Sequence, residues 1–192
     1  MEYGDISTCS FHSTKVFHTV EGGSINCHSE ELHEKVKLLR SFGHILDNYY
    51  VAGINGKNSE FHAAMGLCNL NHLSSIISGR KRVFRIYDNL LNWDHLEKPT
   101  EITPDLVYNF AYYPVVLENT EITAKIMEAL NKENIYPRRY FYPSLNQLKY
   151  LTNYQSCPVS EDISCRVLSL PLYPDLEDKI VENISEIINS NL

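Results

Sequence analysis

The sequence lacks the features that mark several common protein classes. No apolar run approaches the roughly 20 residues that span a bilayer, and the N-terminus has no basic segment followed by an apolar one. Its 17 Lys and Arg are outnumbered by 24 Asp and Glu, giving a net charge of −7, whereas nucleic-acid-binding proteins usually present a basic face. We therefore expect a cytoplasmic protein with neither a nucleic-acid partner nor a membrane partner.

Cysteine and histidine are present, but without the spacing of a metal site. The five cysteines are odd in number and widely separated, and no two of them form a C-x-x-C pair. None of the eight histidines belongs to an H-x-x-x-H or H-E-x-x-H pair. We expect reduced, structural thiols and no metal ligands.

The hydrophobic pattern predicts a chain in which strands alternate with helices. Ser29 followed by Glu30 and Glu31 is typical of a helix start, and Gly43 is typical of a stop. A longer helical pattern extends from Ser59 to Trp93. Further helices are expected around residues 122–130 and 180–188, and strands at residues 6–11, 24–28, 107–117, 135–142 and 167–172. This alternation indicates an α/β fold.

The longer helical pattern also suggests how the chain is divided. A helix of that length often bridges two lobes, and residues 98–104 contain two prolines among turn formers, as a boundary segment would. A chain of 192 residues holds roughly one to one and a half domains. We predict a first domain at residues 1–66, a bridging helix at 67–97 and a second domain at 98–192.

A lysine near the start of the chain carries the first chemical signal. Lys15 follows the run SFHST in a short loop between two predicted strands. A lysine amine becomes nucleophilic when burial or neighbouring cations lower its pKa, and hydroxyls with turn amides can hold a phosphate. A phosphate beside a reactive lysine is the arrangement that pyridoxal phosphate requires. Taken alone, such a segment is more often an ordinary solvated loop.

Five segments in the same order resemble the DegT/DnrJ/EryC1/StrS nucleotide-sugar aminotransferases. They are SFHSTK followed by EGG at residues 10–15 and 21–23, LLRSFGH at 38–44, GINGKNSEFHAAMG at 53–66, RRYFYPSLN at 138–146 and LSLPLYPDL at 168–176. The resemblance implies the PLP-dependent transferase fold of the aspartate aminotransferase type. It also implies transamination of a nucleotide-linked keto-6-deoxysugar, dTDP-linked and with glutamate as donor, in surface-polysaccharide or O-antigen biosynthesis.

The resemblance also assigns cofactor-binding roles. It implies that Lys15 forms the Schiff base with pyridoxal 5'-phosphate and later moves a proton between cofactor and substrate. Ser10 matches the hydroxyl that binds the cofactor phosphate. Asn55 matches an asparagine that reaches the phosphate of the partner subunit, which implies a homodimer.

For the substrate, the resemblance points to three further side chains. Tyr142 lies in the segment that lines the sugar pocket, and Lys57 matches an Arg/Lys position of the family. Asn146 stands where many members carry a histidine, so the contact with the substrate differs there. All three are expected to bind the nucleotide sugar.

The family's fold carries another large segment ahead of the lysine. That segment holds the aromatic ring that stacks on the cofactor and the aspartate that protonates its ring nitrogen; Asp5 lies too close to Lys15 to replace that aspartate. The chain therefore resembles a C-terminal half, a remnant of the large domain plus the small α/β domain. Three alternatives follow: an enzyme half that needs a separate N-terminal half, an inactive fragment that acts as a structural or interaction unit, and a related sugar dehydratase. The dehydratase is disfavoured because those members replace the lysine with histidine.

Overall fold

The computed structural model describes residues 3–98, 103 and 106–192. The chain divides into two compact units, unit 1 at Met1–Ser74 and unit 2 at Ser75–Leu192. The segment at residues 98–104, predicted as a domain boundary, lies mostly outside the described residues. Among the described helices, none has both the length and the apolar character needed to cross a membrane.

Unit 1 begins with the predicted pair of strands and the helix that follows them. Strands β1 (Ile6–Ser10) and β2 (Gly23–Cys27) form an antiparallel ladder that pairs Ser10 with Gly23. Helix α1 (Glu30–Arg40) starts where it was predicted, because the Ser29 hydroxyl accepts a hydrogen bond from the Leu32 amide at 3.2 Å. A short unpredicted hairpin, β3 (His44–Ile45) with β4 (Asn48–Tyr49), precedes helix α2 (Glu60–Leu70).

Unit 1 buries almost nothing. Of its described residues, only Thr19, Gly43 and Gly66 are buried, and none of these has a large apolar side chain. The two strands on either side of the lysine loop are therefore not buried. The physical reason is that β1 and β2 form a two-stranded sheet, which has too few neighbours to cover its faces.

Unit 2 contains a three-stranded antiparallel sheet packed with helices. The sheet order is β5-β6-β7, with β6 in the centre. Its elements, of which the first begins at the end of unit 1, are α3 (Leu73–Leu90), β5 (Leu96–Glu97), β6 (Tyr113–Leu117), α4 (Thr120–Lys132), a 3-10 turn (Leu145–Gln147), α5 (Pro158–Arg166), β7 (Val167–Leu170) and α6 (Asp178–Asn189). The predicted helices near residues 122–130 and 180–188 and the strand near 167–172 are confirmed.

The hydrophobic core of the described chain lies entirely in unit 2. Val83 and Tyr87 of α3, Ile126 of α4, Leu168 of β7 and Ile184 of α6 are all fully buried. Aromatic rings add to this core: Phe84 and Tyr113 lie 4.5 Å apart, and Tyr87 and Tyr113 4.7 Å apart. Fully burying an apolar side chain contributes about 1.5–3 kcal/mol, so unit 2 has the stabilisation that unit 1 lacks.

One hydroxyl of the core is hydrogen-bonded to a carboxylate that also binds an exposed lysine. Tyr113 donates a hydrogen bond to Asp88 at 2.6 Å, and Lys98 donates to the same carboxylate oxygen at 2.7 Å. Burial first, and the Asp88 carboxylate second, raise the pKa of Tyr113 far above its usual range. The hydroxyl therefore stays protonated and serves as a donor.

Three expectations from the sequence differ from the structure. The segment 67–97 is not one bridging helix, because α2 ends at Leu70 and α3 begins at Leu73 after a turn at Asn71 and His72. Residues 135–142 form no strand: Pro137 has no amide hydrogen for a ladder, and only Arg138 pairs with Ser169 in an isolated bridge. Residues 107–112 likewise precede β6 without strand pairing.

The core predicts where truncation of a leucine is costly. We expect Leu168→Ala to lower the free energy of unfolding by about 2–5 kcal/mol, because it removes a fully buried side chain from β7. Leu151→Ala, at a position that is 44% exposed in the same unit, should change it by less than about 0.5 kcal/mol. Urea unfolding followed by circular dichroism measures both, and equal effects would contradict the assignment of the core.

Candidate active site

The loop that carries Lys15 is held by its own backbone. At its mouth, next to the β1–β2 ladder, the Phe11 amide donates to the Gly22 carbonyl at 2.9 Å, and the Thr19 amide donates to the Phe11 carbonyl at 2.9 Å. The Lys15 amide donates to the His12 carbonyl at 2.9 Å, which closes a tight turn. Lys15 lies on this turn with its side chain exposed to solvent.

Helix α2 supports the same loop from one side. Asn69 donates a hydrogen bond through Nδ2 to the His18 carbonyl at 2.9 Å. A Cβ atom at Gly66 would lie 2.8 Å from Cγ2 of Thr19, so this helix position admits only glycine at the present spacing. Thr19 is 6% exposed and donates through its hydroxyl to the Glu21 carbonyl at 2.7 Å.

A histidine and a glutamate lie across the loop from one another. His12 Nδ1 lies 2.9 Å from the Thr14 hydroxyl and 3.3 Å from the Thr14 amide, and Nε2 lies on the other side of the ring. That Nε2 lies 3.4 Å from the Glu21 carboxylate. His12 and Glu21 flank Lys15 in the sequence and join the two sides of its loop.

The residues of this loop fit the two reactive ends of pyridoxal phosphate. Lys15 presents an exposed amine, the group that an aldehyde requires. Ser10 is exposed, and its hydroxyl oxygen accepts only a long contact of 3.4 Å from the His12 amide, so its proton remains available to a phosphate oxygen. The donor set is therefore compatible with the cofactor, although the described residues leave the lysine uncovered.

Asn55 and Lys57 form a second cluster within unit 1. Lys57 Nζ donates to Asn55 Oδ1 at 2.8 Å and lies 4.0 Å above the ring of Phe42. Backbone bonds from Ile54 to Leu39 and from Gly56 to Arg40, each 2.8 Å, attach this segment to the end of α1. Main-chain hydrogen bonds thus fix this segment. The side chains of Asn55 and Lys57, both predicted to bind ligands, contact each other.

A cleft of about 810 Å³ brings this cluster next to the strand pair. Asn55 and Lys57 line it together with Lys37, Arg40, Cys9 and Gly23. Of its fifteen described lining residues, three are cationic and none is acidic, so the cleft favours an anion. Ser10 and Lys15 are not among the lining residues of this cleft. The cleft therefore brings Asn55 and Lys57 next to the β1–β2 strands but not next to Lys15.

Tyr142, in unit 2, lies against an arginine. The guanidinium of Arg139 is 3.4 Å from the centroid of the Tyr142 ring, and its Nη2 donates to the Cys165 carbonyl at 3.0 Å. Both residues line a cavity of about 680 Å³ whose opposite wall is α4. The Tyr142 ring is 53% exposed, which leaves its other surface available to a ligand.

Asn146 is engaged by its own unit. Its Nδ2 donates to the Gln155 carbonyl at 2.8 Å and to the Glu161 carboxylate at 2.7 Å, and its Oδ1 accepts from the Ser144 hydroxyl at 2.6 Å. The hydrogen bonds from the Cys157 amide, Asn146 and Tyr154 hold the pKa of Glu161 below its usual value. The side chain predicted to bind substrate is thus occupied in ordering the loop.

Sequence reasoning missed Arg139, Glu161 and the helix that carries Glu161. Pro158 at the first turn of α5, acidic residues after it and Arg166 in the last turn are the signals that indicate this helix. Arg139 follows another arginine, Arg138, in the sequence. Nothing in the sequence indicates that it stacks on Tyr142, because the contact depends on the path of the intervening loop.

Comparison with known proteins adds independent observations. The sequence profile described as the DegT/DnrJ/EryC1/StrS aminotransferase family matches residues 2–189. A dTDP-4-amino-4,6-dideoxy-D-glucose transaminase of Shigella dysenteriae is 36% identical over 192 residues, covering 96% of this chain and 52% of the relative. A GDP-perosamine synthase of Escherichia coli O157:H7 is 28% identical, with 97% and 52% covered. This chain therefore spans about half the length of these relatives.

Solved structures agree in fold. The aminotransferase TlmJ of Streptoalloteichus hindustanus superimposes with a TM-score of 0.89 at 22% identity, covering 98% of this chain and 52% of that one. The enzyme DesI, crystallised in the presence of its TDP-sugar product, gives a TM-score of 0.86 at 27% identity, with 97% and 49% covered. The fold is therefore about half of a PLP-dependent sugar aminotransferase.

The packing of α2 on the lysine loop yields a test. We expect Gly66→Val to speed hydrogen exchange at the Thr19 amide by about tenfold or more, because the new side chain displaces Thr19 and weakens its bond to Phe11. Ala64→Val, at an exposed position of the same helix, makes a similar β-branched change without that contact. NMR-detected exchange in both variants provides the comparison; equal protection of Thr19 would show that α2 does not hold the loop.

Proposed function

The chain belongs to the DegT/DnrJ/EryC1/StrS aminotransferase family, and from that membership we propose that it supplies the C-terminal half of an enzyme that transfers an amino group to a nucleotide-linked ketosugar. The observation that carries the proposal is the lysine loop. Its turn presents Lys15 to solvent, and Ser10 stands at the end of the preceding strand with a hydroxyl proton to donate.

The roles of the residues follow from their chemistry. Bound pyridoxal phosphate supplies an electron sink that stabilises negative charge on the reacting carbon. Lys15 would hold the cofactor through Nζ, and the same amine, when free, would hold and move the proton that the reaction transfers. Ser10 donates a hydrogen bond to the cofactor phosphate, and Asn55 donates to the phosphate held by a second subunit of a homodimer. His12 and Glu21 keep the turn closed around Lys15.

This chain covers about half the length of its relatives, and unit 1 exposes apolar surface that is consistent with the absence of the other half. Unit 1 exposes large apolar side chains, among them Leu46 at 84%, Phe61 at 88% and Leu67 at 68%. Apolar side chains exposed in this number normally contact other protein. We propose that this surface is covered by the rest of the enzyme, on the same or a separate polypeptide, which also supplies the partner of the cofactor's ring nitrogen and shields Lys15 from water.

We propose a dTDP-linked 4-keto-6-deoxyhexose as the substrate and glutamate as the amino donor. Two relatives at 36% and 32% identity are dTDP-4-amino-4,6-dideoxy-D-glucose transaminases, whereas the GDP-perosamine synthase is more distant at 28%. Tyr142 offers an exposed ring face to the sugar or base, and Lys57 offers a cation to the diphosphate. Asn146 lies in the same loop as Tyr142, and the product belongs to surface-polysaccharide biosynthesis.

A second function has its own supporting observation. Lys15 is exposed and lies in a unit that buries no large apolar side chain among its described residues. Such a chain, unaided, fits an inactive fragment that contributes its fold and surfaces to an assembly. The two functions differ in whether the chain binds the cofactor at Lys15 and yields product once the other half of the enzyme is supplied.

Cofactor binding is tested by absorbance. We expect the purified chain mixed with pyridoxal phosphate to develop the visible band of lysine-bound cofactor, and Lys15→Ala to lose it, because only that amine lies in the family's lysine segment. Lys35→Ala is the matched control, since Lys35 is also an exposed lysine and pairs only with Glu31 on α1. A band that survives in Lys15→Ala, or never forms with wild type, would contradict cofactor binding at Lys15.

Activity is tested by complementation. The half of the Shigella dysenteriae relative that lies outside the match is expressed separately and added to this chain with the cofactor, glutamate and dTDP-4-keto-6-deoxyglucose. We expect an amino sugar nucleotide, detected by mass spectrometry, from the mixture and from neither half alone. Cofactor binding without product from the mixture would support the inactive fragment.

A further inference from the structure

The segment that carries Tyr142 and Asn146 is fixed by side chains rather than by a sheet. Only Arg138 at its start pairs with a strand, through two backbone bonds to Ser169 of 3.0 and 2.7 Å. Beyond that point the described chain has only a short 3-10 turn, Leu145–Gln147, before α5 begins. The shape of this segment therefore depends on the groups that hold it.

Glu161 of α5 is the centre of one group. Its Oε1 accepts three hydrogen bonds: from Asn146 Nδ2 at 2.7 Å, from the Tyr154 hydroxyl at 2.8 Å and from the Cys157 amide at 2.8 Å. The residue lies in the first turn of α5, where the helix dipole favours an anion, and Cys157 provides no side-chain cap there. One carboxylate thus connects three points of the chain spread over residues 146–157.

The hydrogen bonds of Asn146 leave it little capacity for a ligand. Both of its amide hydrogens are donated within the unit, and its oxygen accepts from Ser144, which is 2% exposed. The Ser144 hydroxyl also lies 2.7 Å from that of Ser160 on α5. A side chain with three of its four hydrogen-bonding positions occupied holds its own loop in place.

Arg139 forms the second anchor on the same helix. Its Nη2 donates to the carbonyl of Cys165 in the last turn of α5, while its guanidinium stacks on Tyr142 at 3.4 Å. The C-terminal end of a helix favours a cation, as its N-terminal end favours Glu161. The two ends of α5 therefore hold the two ends of the segment, each through a charge of the suitable sign.

We propose that Glu161 and Arg139 are positioning residues, which fix the segment 139–157 on α5 so that Tyr142 is presented to the sugar nucleotide. The identity of that ligand rests on the proposed function; the fixing of the segment does not. Neither residue touches the reacting atoms. Asn146 acts as the link between Glu161 and the loop rather than as a contact of the substrate.

The first experiment measures the segment itself in the full chain. We expect Glu161→Gln to speed hydrogen exchange of the amides in 146–157 by about tenfold, because it removes the charge that accepts three hydrogen bonds. Asp162→Asn is the matched control: it loses the same charge one residue away, where Asp162 pairs with Arg166 and not with the loop. Unchanged exchange in Glu161→Gln, or an equal increase in the control, would overturn the proposal.

The role of Arg139 is tested by measuring the environment of the Tyr142 ring. We expect Arg139→Gln to shift the ring resonances of Tyr142 in the NMR spectrum and to leave exchange in 146–157 within about twofold of wild type, because the two anchors act on different ends of the segment. An unmoved Tyr142 resonance would remove Arg139 from the proposal. Loss of protection throughout unit 2 would show instead that Arg139 is needed for folding.

The second experiment measures ligand recognition in the complemented enzyme. We expect Glu161→Gln to raise the KM for the dTDP-ketosugar by about tenfold with kcat within about twofold, because a loosened loop weakens binding without touching Lys15. A fall in kcat with unchanged KM would contradict a positioning role. If the wild-type mixture has no activity, the proposed function fails, and the positioning role is then tested by titrating dTDP-glucose onto the chain. Equal affinity of wild type and Glu161→Gln for dTDP-glucose, or no binding by wild type, would overturn the role of Glu161 in recognition.

Discussion

The uneven distribution of buried apolar surface governs everything else in this chain. The described core is confined to unit 2, where α3, α4 and α6 enclose the central strand β6 and the aromatic rings of Phe84, Tyr87 and Tyr113. Unit 1, which holds Lys15, has local hydrogen bonds but no comparable burial. Since folded proteins retain only a small net stability, a unit of this kind depends on further contacts to keep its shape. The lysine that we propose to bind the cofactor thus lies where the chain is least self-supporting.

Local backbone contacts compensate in part for this lack of burial. The lysine turn is closed by amide-to-carbonyl bonds and packed on Gly66, and the Asn55 segment is attached to α1 in the same way. Such contacts specify a conformation even where they add little stability. They explain how a loop on a two-stranded sheet retains a defined turn for the lysine, although shielding of that lysine requires more protein than these residues provide.

The sequence predicted the elements whose signals are local. The cap at Ser29, the four-residue spacing of Ile122, Ile126 and Leu130, and the apolar face of α6 each lie within a single helix and were placed correctly. Lys15 and Ser10 could be nominated because their motif is contiguous. By contrast, the strand expected at 135–142 is absent because pairing is a property of two segments, and the residue types of one segment cannot show that a partner edge is available. The bond between Asn146 and Glu161, 15 residues apart, and the stacking of Arg139 on Tyr142 depend on the path of an irregular loop, which no periodicity encodes.

The attachment of the 139–157 segment to α5 has a consequence for how such proteins diversify. The anchors are a few side chains at the two ends of one short helix, and the residues between them contribute nothing to the central sheet. Substitutions at those intervening positions can therefore accumulate with little effect on the folding of unit 2, while each one alters the surface that we propose to meet the sugar nucleotide. In a scaffold built in this way, the exposed surface of an irregular segment and the stability of the packed core are free to vary separately.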